Sequence, residues 1–319
     1  MASSSFHRTL DLEERIHVAG HNGLVGSAVL RHLEERGHTD LMTQSSSEVD
    51  LRDRDAVFDL YHAERPNVVV LAAAKVGGIL ANSTYPADFL SDNIRIQVNV
   101  LDAAHEIGVE RLLFLGSSCI YPKMAPQPIH EDSLLTGPLE PTNDAYAIAK
   151  VAGVLHVQAM RRQHGASFIS AMPTNLYGPR DNFDLASSHV LPALIRRFHE
   201  HKVNGEPQVE AWGTGSPRRE FLHVDDLARA CVVLLENYDD PAPINVGTGS
   251  DITIRELTEM VKEIVGFEGE VVWDSSKPDG TPRKQLDVSR LQALGWAPTI
   301  ELREGLRSTY EWFLEHEAS

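Results

Sequence analysis

The stretch Gly20-His-Asn-Gly-Leu-Val-Gly26 decides the fold predicted for this chain. It follows a short apolar run, 16–19, and the residues after it, 24–33, have the apolar spacing of a helix. Glycines here permit a tight turn and the close approach of a pyrophosphate, and the helix amino end offers free N–H groups. The spacing is GxxGxxG rather than the general GxGxxG, so the motif alone is weak. Its strand–turn–helix context favours a dinucleotide site over a glycine-rich turn without a ligand.

Strand-like and helix-like stretches alternate outward from this turn through the first half of the chain. The run 68–74 has no polar face, as expected where helices cover both faces of a parallel sheet. The alternation predicts an α/β fold built on a doubly wound parallel sheet, the Rossmann arrangement. The other predicted strands are 40–43, 112–115 and 168–172, and the predicted helices are 53–65, 94–107 and 146–164.

The second half of the chain predicts a smaller, mostly helical carboxyl-terminal lobe that binds the substrate. We expect this lobe to lie over the carboxyl end of the sheet, where α/β proteins of this kind bind their ligands. The predicted division is a loose tail at 1–14, a dinucleotide-binding domain at 15–180 and the substrate lobe at 181–319, some elements of which return to the sheet. The predicted helices are 189–201, 224–236, 254–265 and 302–313, and the strands are 208–211, 244–246 and 270–273.

The composition excludes several classes of partner and site. A net charge of -17, from 46 acidic and 29 basic residues, disfavours nucleic acid and anionic membranes, so an anionic substrate needs a local basic pocket. The chain has two cysteines and 15 histidines, and neither their number nor their spacing indicates a disulfide framework or a metal site. Cys231 lies in an apolar helical stretch and is expected in the core. No apolar run is long enough for a membrane span or a signal peptide, so the cytoplasm is the expected compartment.

A Tyr–Lys pair carries the strongest chemical signal. Tyr146 and Lys150 are four residues apart, on one face of a predicted helix, and Ser117 follows a buried strand. We expect the ammonium to lower the pKa of the phenol, which would make Tyr146 a proton donor to a carbonyl oxygen. Ser117 would donate a second hydrogen bond to that oxygen. An isolated Tyr–Lys pair with this spacing often has no catalytic role, but the glycine turn upstream argues for catalysis.

The loop after the second predicted strand indicates the cofactor. NAD sites usually carry an acidic residue there, which binds the ribose 2′-hydroxyl and would repel a 2′-phosphate. Here residues 43–47 are all neutral. The absence of repulsion favours NADP(H), although the loop also has no arginine or lysine to bind the phosphate.

Several longer segments resemble one known family. The glycine turn with the Ser…YxxxK set is similar to the extended short-chain dehydrogenases/reductases and, over residues 15–314, to the GDP-L-fucose synthases among them. The segments that carry this resemblance are Leu71-Ala-Ala-Ala-Lys-Val-Gly-Gly78, Leu115-Gly-Ser-Ser-Cys-Ile-Tyr-Pro122, Pro173-Thr-Asn-Leu-Tyr-Gly-Pro179, Asp181-Asn-Phe183, Ser188-His-Val190, Arg219-Glu-Phe-Leu-His-Val-Asp-Asp226 and Lys277-Pro-Asp-Gly-Thr-Pro-Arg283.

The resemblance implies a substrate and two further catalytic residues. The substrate would be GDP-4-keto-6-deoxymannose, epimerised at C3 and C5 and then reduced at C4 by NADPH. A ketone acidifies the hydrogens on both neighbouring carbons, and Ser117 and Tyr146 would stabilise the enolate oxygen. The resemblance supplies Cys119 as base and His189 as acid, with roles that can exchange between the two centres. From position alone, Cys119 is better interpreted as a buried core residue, and His189 as a helix cap or a solvated side chain.

The resemblance also implies the binding residues and a homodimer formed through helices outside the sheet. The substrate contacts would be Arg197, Trp212, Arg219 and Asp279. This chain departs from many bacterial relatives at Asn22, where they have arginine, and near Ser46, where they have a basic residue, so the preference between NADPH and NADH stays open. The implied cofactor contacts are Gly20, Asn22, Gly23, Leu24, Val25, Gly26, Ser46, Asp50, Leu51, Leu71, Ala72, Ala73, Leu115, Gly116, Ser118, Lys150, Pro173, Asn175, Leu176 and His189.

Two other functions compete with this interpretation. A related nucleotide-sugar epimerase or 4,6-dehydratase would retain its NAD and show no net reduction. Dehydratases of this superfamily tend to carry an acidic pair after the catalytic Ser or Thr, whereas this chain has Ser118-Cys119-Ile120. A non-enzymatic NADP-binding regulator would have lost the Ser–Tyr–Lys set, which is intact here.

Overall fold

A parallel sheet of six strands forms the centre of the computed structural model, which describes residues 6–277 and 279–318. All five strand pairings in this sheet are parallel, in the order β10-β5-β4-β3-β1-β2. The α/β, doubly wound fold predicted from the sequence is therefore confirmed. The sheet strands are β1 Ile16–Ala19, β2 Leu41–Met42, β3 Val68–Leu71, β4 Arg111–Leu115, β5 Phe168–Pro173 and β10 Ile244–Val246.

Helices cover both faces of the sheet because alternate strand residues point to opposite sides. In β3, Val68 and Val70 pack into a core with one layer of helices, whereas Val69 and Leu71 pack into a second core with the other layer. Cys231 is fully buried in the first core, as predicted. The first layer consists of α1 Leu24–Glu35 and α7 Val224–Asn237, and the second of α2 Arg54–Glu64, α4 Pro86–Ile107 and α5 Asp144–His164.

The remaining elements build a smaller lobe with its own core, to which Phe183, Phe198 and Phe313 contribute. Both β10 and α7 return to the central sheet, so the chain after residue 180 contributes to both parts of the molecule. No helix in the described part of the chain is long and apolar enough to cross a membrane. The remaining helices are α3 Ile79–Thr84, α6 Val190–Asn204, α8 Ile254–Val265, α9 Ser289–Ala293 and α10 Leu302–His316. The remaining strands are β6 Asn175–Tyr177, β7 Gln208–Trp212, β8 Arg218–Arg219, β9 Phe221–His223, β11 Ile252–Thr253, β12 Glu270–Asp274 and β13 Arg283–Lys284.

The structure differs from the predicted boundaries where periodicity is a weak signal. Helix α4 begins at Pro86, eight residues before the predicted start at 94, because proline at the first helical position is already preorganised for the helix. The two-residue strands β8, β11 and β13 were not predicted. Segments this short show no period at all.

The predicted loose tail is wrong for residues 6–14, which pack against the sheet domain. Leu10 is only 2% exposed and belongs to the core beneath α7. The amide of Arg8 donates a hydrogen bond to the carbonyl of Glu236 at 2.7 Å, and the ring of Phe6 lies against the guanidinium of Arg111. Apolar contact and backbone pairing therefore hold this segment. Residues 1–5 lie outside the described residues.

The glycine turn gives a prediction about stability. A Cβ on Gly26 would lie 2.1 Å from the carbonyl oxygen of Gly20, whereas a Cβ on Gly23 would lie 3.5 Å from that atom. We expect Gly26→Ala to lower the free energy of unfolding by about 1–3 kcal/mol or more, because backbone must move to admit the methyl group. Gly23→Ala should cost less than about 1 kcal/mol. Urea denaturation of both variants measures the difference, and equal costs would contradict the packing described.

Candidate active site

A cavity of about 760 Å³ opens at the carboxyl ends of the sheet strands. It is lined by all of the predicted catalytic residues: Ser117, Cys119, Tyr146, Lys150 and His189. It is also lined by the predicted cofactor residues except two. Asn22 lies in a smaller neighbouring cavity, and the side chain of Leu71 is buried in the core, at 1% exposure.

The glycine turn forms one wall and is shaped to hold an anionic group. Gly20 has φ of 90°, and a Cβ there would lie 2.7 Å from the amide nitrogen of Ala73, so the turn approaches the end of β3 closely. Gly23 is the N-cap of α1 and has no side chain to satisfy the first amide groups of the helix. These free N–H groups, with the positive end of the helix dipole, fit the pyrophosphate of a dinucleotide.

Tyr146 and Lys150 lie one helical turn apart on α5, next to the end of β4. The ammonium of Lys150 donates a hydrogen bond to the carbonyl of Leu115 at 2.8 Å, and burial lowers its pKa to about 8. The lysine Nζ lies 5.9 Å from the centre of the Tyr146 ring.

The expectation of a lowered phenol pKa is wrong for this structure. Burial raises the pKa of Tyr146 and the nearby charge of Cys119 raises it further, whereas a hydrogen bond with Ser117 opposes both. The physical reason is that Lys150 interacts with a backbone carbonyl rather than with the phenol oxygen. Tyr146 is consequently a neutral phenol that holds its proton, which still suits a proton donor.

Cys119 lies among hydrogen-bond donors. Its Sγ is 3.2 Å from the amide nitrogen of Asn143 and 3.5 Å from the ammonium nitrogen of Lys284. Burial opposes ionisation of the thiol, but the charge of Lys284 and hydrogen bonds from Ser117, Lys284 and Asn143 together bring its pKa below the ordinary value. The thiolate is the form that can remove a proton, so this environment favours a base.

His189 is the N-cap residue of α6, but its side chain makes no capping hydrogen bond. His189 is exposed to solvent at the cavity that it lines. Desolvation by the surrounding protein lowers its pKa, and the charge of Lys284 lowers it further. The ring is therefore neutral at neutral pH and must gain a proton before it can act as a strong acid.

None of the four predicted substrate residues lines this cavity. The guanidinium of Arg197 donates to the carbonyl of Glu210 at 2.7 Å, and Trp212 is 56% exposed. Asp279 accepts hydrogen bonds from the amide and hydroxyl of Thr214.

Arg219 lies close enough to Cys119 for their charges to interact. Strands β8 and β13 pair in parallel with Arg219 opposite Lys284, so both cations lie at the Cys119 end of the cavity.

Lys284 and Asn143 carry no signal in the sequence that marks them as site residues. Lys284 directly follows the family-like segment that ends at Arg283, and its position in the sequence gives no sign of the distant Cys119. Asn143 precedes α5 in a loop without a recognisable motif. In the described part of the chain, no group of three or more His, Cys, Asp or Glu residues is arranged to hold a metal ion.

Comparison with known proteins shows the family of this chain. The family model described as NAD dependent epimerase/dehydratase matches residues 16–247. The chain is 60% identical to GDP-L-fucose synthase 1 of Arabidopsis thaliana, over 96% of this chain and 95% of that protein. It is 54% identical to the GDP-L-fucose synthase of Escherichia coli (strain K12), over 96% and 98%. A GDP-L-fucose synthetase from Naegleria fowleri bound to NADP superimposes with a TM-score of 0.91 at 31% identity, over 99% and 98%.

The environment of Cys119 predicts a shift in thiol reactivity when Lys284 is replaced. Lys284→Met removes the charge that lowers the thiol pKa, so the pH midpoint of alkylation by iodoacetamide should rise, and the rate at neutral pH should fall. Lys284→Arg should restore much of the lower midpoint because it keeps the charge. Mass spectrometry separates Cys119 from the buried Cys231. An unchanged midpoint in Lys284→Met would refute the contribution of Lys284.

Proposed function

We propose that this chain, which belongs to the NAD dependent epimerase/dehydratase family, converts GDP-4-keto-6-deoxy-D-mannose to GDP-L-fucose. It is an NADP-dependent oxidoreductase with epimerase activity, which inverts C3 and C5 and then reduces the ketone at C4. The observation that carries the proposal is the position of Cys119 beside Lys284 in the cavity that also holds Ser117, Tyr146 and the glycine turn. One cavity thus combines a proton-abstracting group, carbonyl-binding hydroxyls and a dinucleotide cradle.

The epimerisation needs a base, an acid and a place for negative charge. The ketone oxygen accepts hydrogen bonds from Ser117 and Tyr146, which stabilise the enolate that forms when a neighbouring C–H bond breaks. We assign Cys119 as the base, whose thiolate takes that proton, and His189 as the acid, which returns a proton from the opposite side. Because His189 is neutral at rest, the two negative charges of the nucleotide sugar near Lys284 would favour its protonation.

The reduction uses the same carbonyl-binding residues. NADP(H) supplies the hydride to C4 when it is bound. Tyr146 then gives its proton to the oxygen, and its raised pKa ensures that this proton is present. Lys150, with a pKa of about 8, carries a positive charge at neutral pH. It donates to the carbonyl of Leu115 in the resting protein, and we propose that its charge stabilises the phenolate once that phenolate has formed. Residues 43–47 carry no charge of their own to repel a 2′-phosphate, although the neighbouring Glu48 accepts hydrogen bonds from the amide and hydroxyl of Ser45.

The substrate diphosphate requires cations in an acidic protein. Arg219 and Lys284 are adjacent on β8 and β13, and we propose that they bind it, together with Arg197, Trp212 and Asp279 of the same lobe. Arginine offers paired planar donors that suit phosphate oxygens.

In this proposal, residues 15–180 bind the cofactor and residues 181–319 bind the substrate, apart from β10 and α7, which belong to the sheet.

We further propose a homodimer in the cytoplasm, formed through the outer surface of α5. Ile148 and Leu155 are seven residues apart on this helix, hence on one side of it, and are 45% and 40% exposed. Apolar side chains in this arrangement are stabilised by burial against a second copy. Sedimentation velocity should give twice the chain mass, and Ile148→Asp should shift it towards one chain. A wild-type protein that sediments as a monomer at micromolar concentration would exclude the dimer.

The reaction is tested in deuterated water with GDP-4-keto-6-deoxymannose and either NADPH or NADH. We expect deuterium at C3 and C5, consumption of cofactor and faster turnover with NADPH, as measured by NMR and absorbance. Label without cofactor consumption would identify an epimerase instead. Neither label nor consumption would exclude the proposed substrate.

Two variants separate the steps in this assay. Cys119→Ser should slow deuterium incorporation by roughly 10²-fold or more, since a general base contributes about that much. Tyr146→Phe should abolish reduction while cofactor still binds, because only the hydroxyl is lost. Unchanged incorporation in the first variant, or near-normal turnover in the second, would refute the assigned role.

A further inference from the structure

Arg180 differs from the other cations that line the main cavity in its ion pairing and its exposure. Arg52 and Lys75 line it too, but each is ion-paired: Arg52 with Asp50 and Asp92, and Lys75 with Asp92 at 3.0 Å. Their charges are thus largely balanced by carboxylates of the chain itself.

The other two cations of the cavity differ in accessibility. Lys150 is buried at the catalytic end and donates to the carbonyl of Leu115. Arg180 is exposed to the cavity, and within the described residues its guanidinium forms no ion pair. Its charge is therefore available to an anionic ligand.

The backbone at Arg180 is held in an unusual conformation. Its φ is 67°, in the left-handed region that residues other than glycine rarely adopt. The loop that follows β6 maintains this conformation at the edge of the cavity. Backbone strain of this kind concentrates where a side chain must be placed for binding or catalysis.

The surroundings of Arg180 indicate which part of a ligand it would meet. A second cavity, of about 450 Å³, joins Arg180 to Asn22 of the glycine turn. Asn22 and Gly23 bring no charge to that turn. A pyrophosphate bound there would otherwise meet only neutral N–H donors. The loop that contains Ser46 lines the main cavity but not this second one.

Two carboxyl groups, Asp181 and Glu317, line the second cavity with Arg180, and in the described part of the chain neither is ion-paired with it. Asp181 lies next in sequence and lines both cavities, yet one of its carboxyl oxygens is buried without a hydrogen-bond partner. Burial raises its pKa to about 7, so it holds a proton for much of the time at neutral pH. An anion beside Arg180 is consequently repelled only weakly by Asp181.

We propose that Arg180 binds the pyrophosphate of NADP(H) and supplies the positive charge that the glycine turn lacks. The inference rests on the proposed function only in that the chain binds a dinucleotide. The guanidinium offers paired donors to phosphate oxygens across the gap between the glycine turn and the loop after β6. Arg180 thus acts in cofactor binding and takes no part in proton transfer.

The test measures cofactor binding directly, without turnover. NADP⁺ and NAD⁺ are each titrated against bound NADPH by its fluorescence, with wild type, Arg180→Gln and Arg180→Gly. Both variants should weaken both dinucleotides by the same factor, roughly 10- to 100-fold, because a charge-assisted hydrogen bond to the shared pyrophosphate is lost. Arg180→Gly should melt at or above the wild-type temperature, since glycine tolerates the positive φ. Weaker binding in that variant is then not a result of unfolding.

Arg65→Gln is the matched control. Arg65 also has a positive φ, of 47°, and is exposed, but it ends α2 and does not line the cavity. The Arg65→Gln substitution should leave the affinities for NADP⁺ and NAD⁺ unchanged. Unchanged affinity in the Arg180 variants, or an equal loss in Arg65→Gln, would overturn the proposal. Loss for NADP⁺ alone would overturn it in favour of contact with the 2′-phosphate. None of these outcomes depends on the identity of the sugar substrate, so failure of the proposed reaction is recognised separately.

Discussion

The close packing of the turn between β1 and α1 is the constraint on which the rest of the site depends. Gly26 and Gly20 are in contact at a distance that excludes any side chain, and Gly20 also closely approaches the backbone just after β3. The amino end of α1 therefore faces the edge between β1 and β3, where the strand order of the sheet reverses. The loops that follow β4 and β5 end at the same edge, which brings Ser117 and Asn175 to one cavity with the turn.

Local cations offset the acidity of the chain at this cavity. The net charge is -17, yet Lys284 and Arg219 lie side by side next to Cys119. One lysine has two effects, because its charge favours the thiolate of Cys119 and disfavours the imidazolium of His189. In the free protein the thiolate of Cys119 is thus favoured, whereas His189 stays neutral until an anionic substrate binds. Such a coupling would favour proton transfer only when the nucleotide sugar is in place.

Sequence reasoning worked best where the signal was local. The helix bounds of α8 and the strand bounds of β10 were predicted to the residue, because amphipathic spacing and short apolar runs reflect the faces that these elements bury. Reasoning from local spacing failed for Tyr146. The four-residue spacing to Lys150 indicated a lowered phenol pKa, but the lysine interacts with the carbonyl of Leu115, which the spacing does not reveal.

The sequence by itself determined the parallel sheet, the dinucleotide turn and the family to which the catalytic set belongs, since each rests on residues close together along the chain. Only the tertiary structure decided that Lys284 lies 3.5 Å from Cys119, 165 residues away, and that Arg180 shares a cavity with Asn22. It also decided that residues 6–14 pack against the core. The physical reason is that charge and burial act through space. The pKa of a side chain depends on neighbours that the fold brings together, and these neighbours cannot be identified from the order of residues in the sequence.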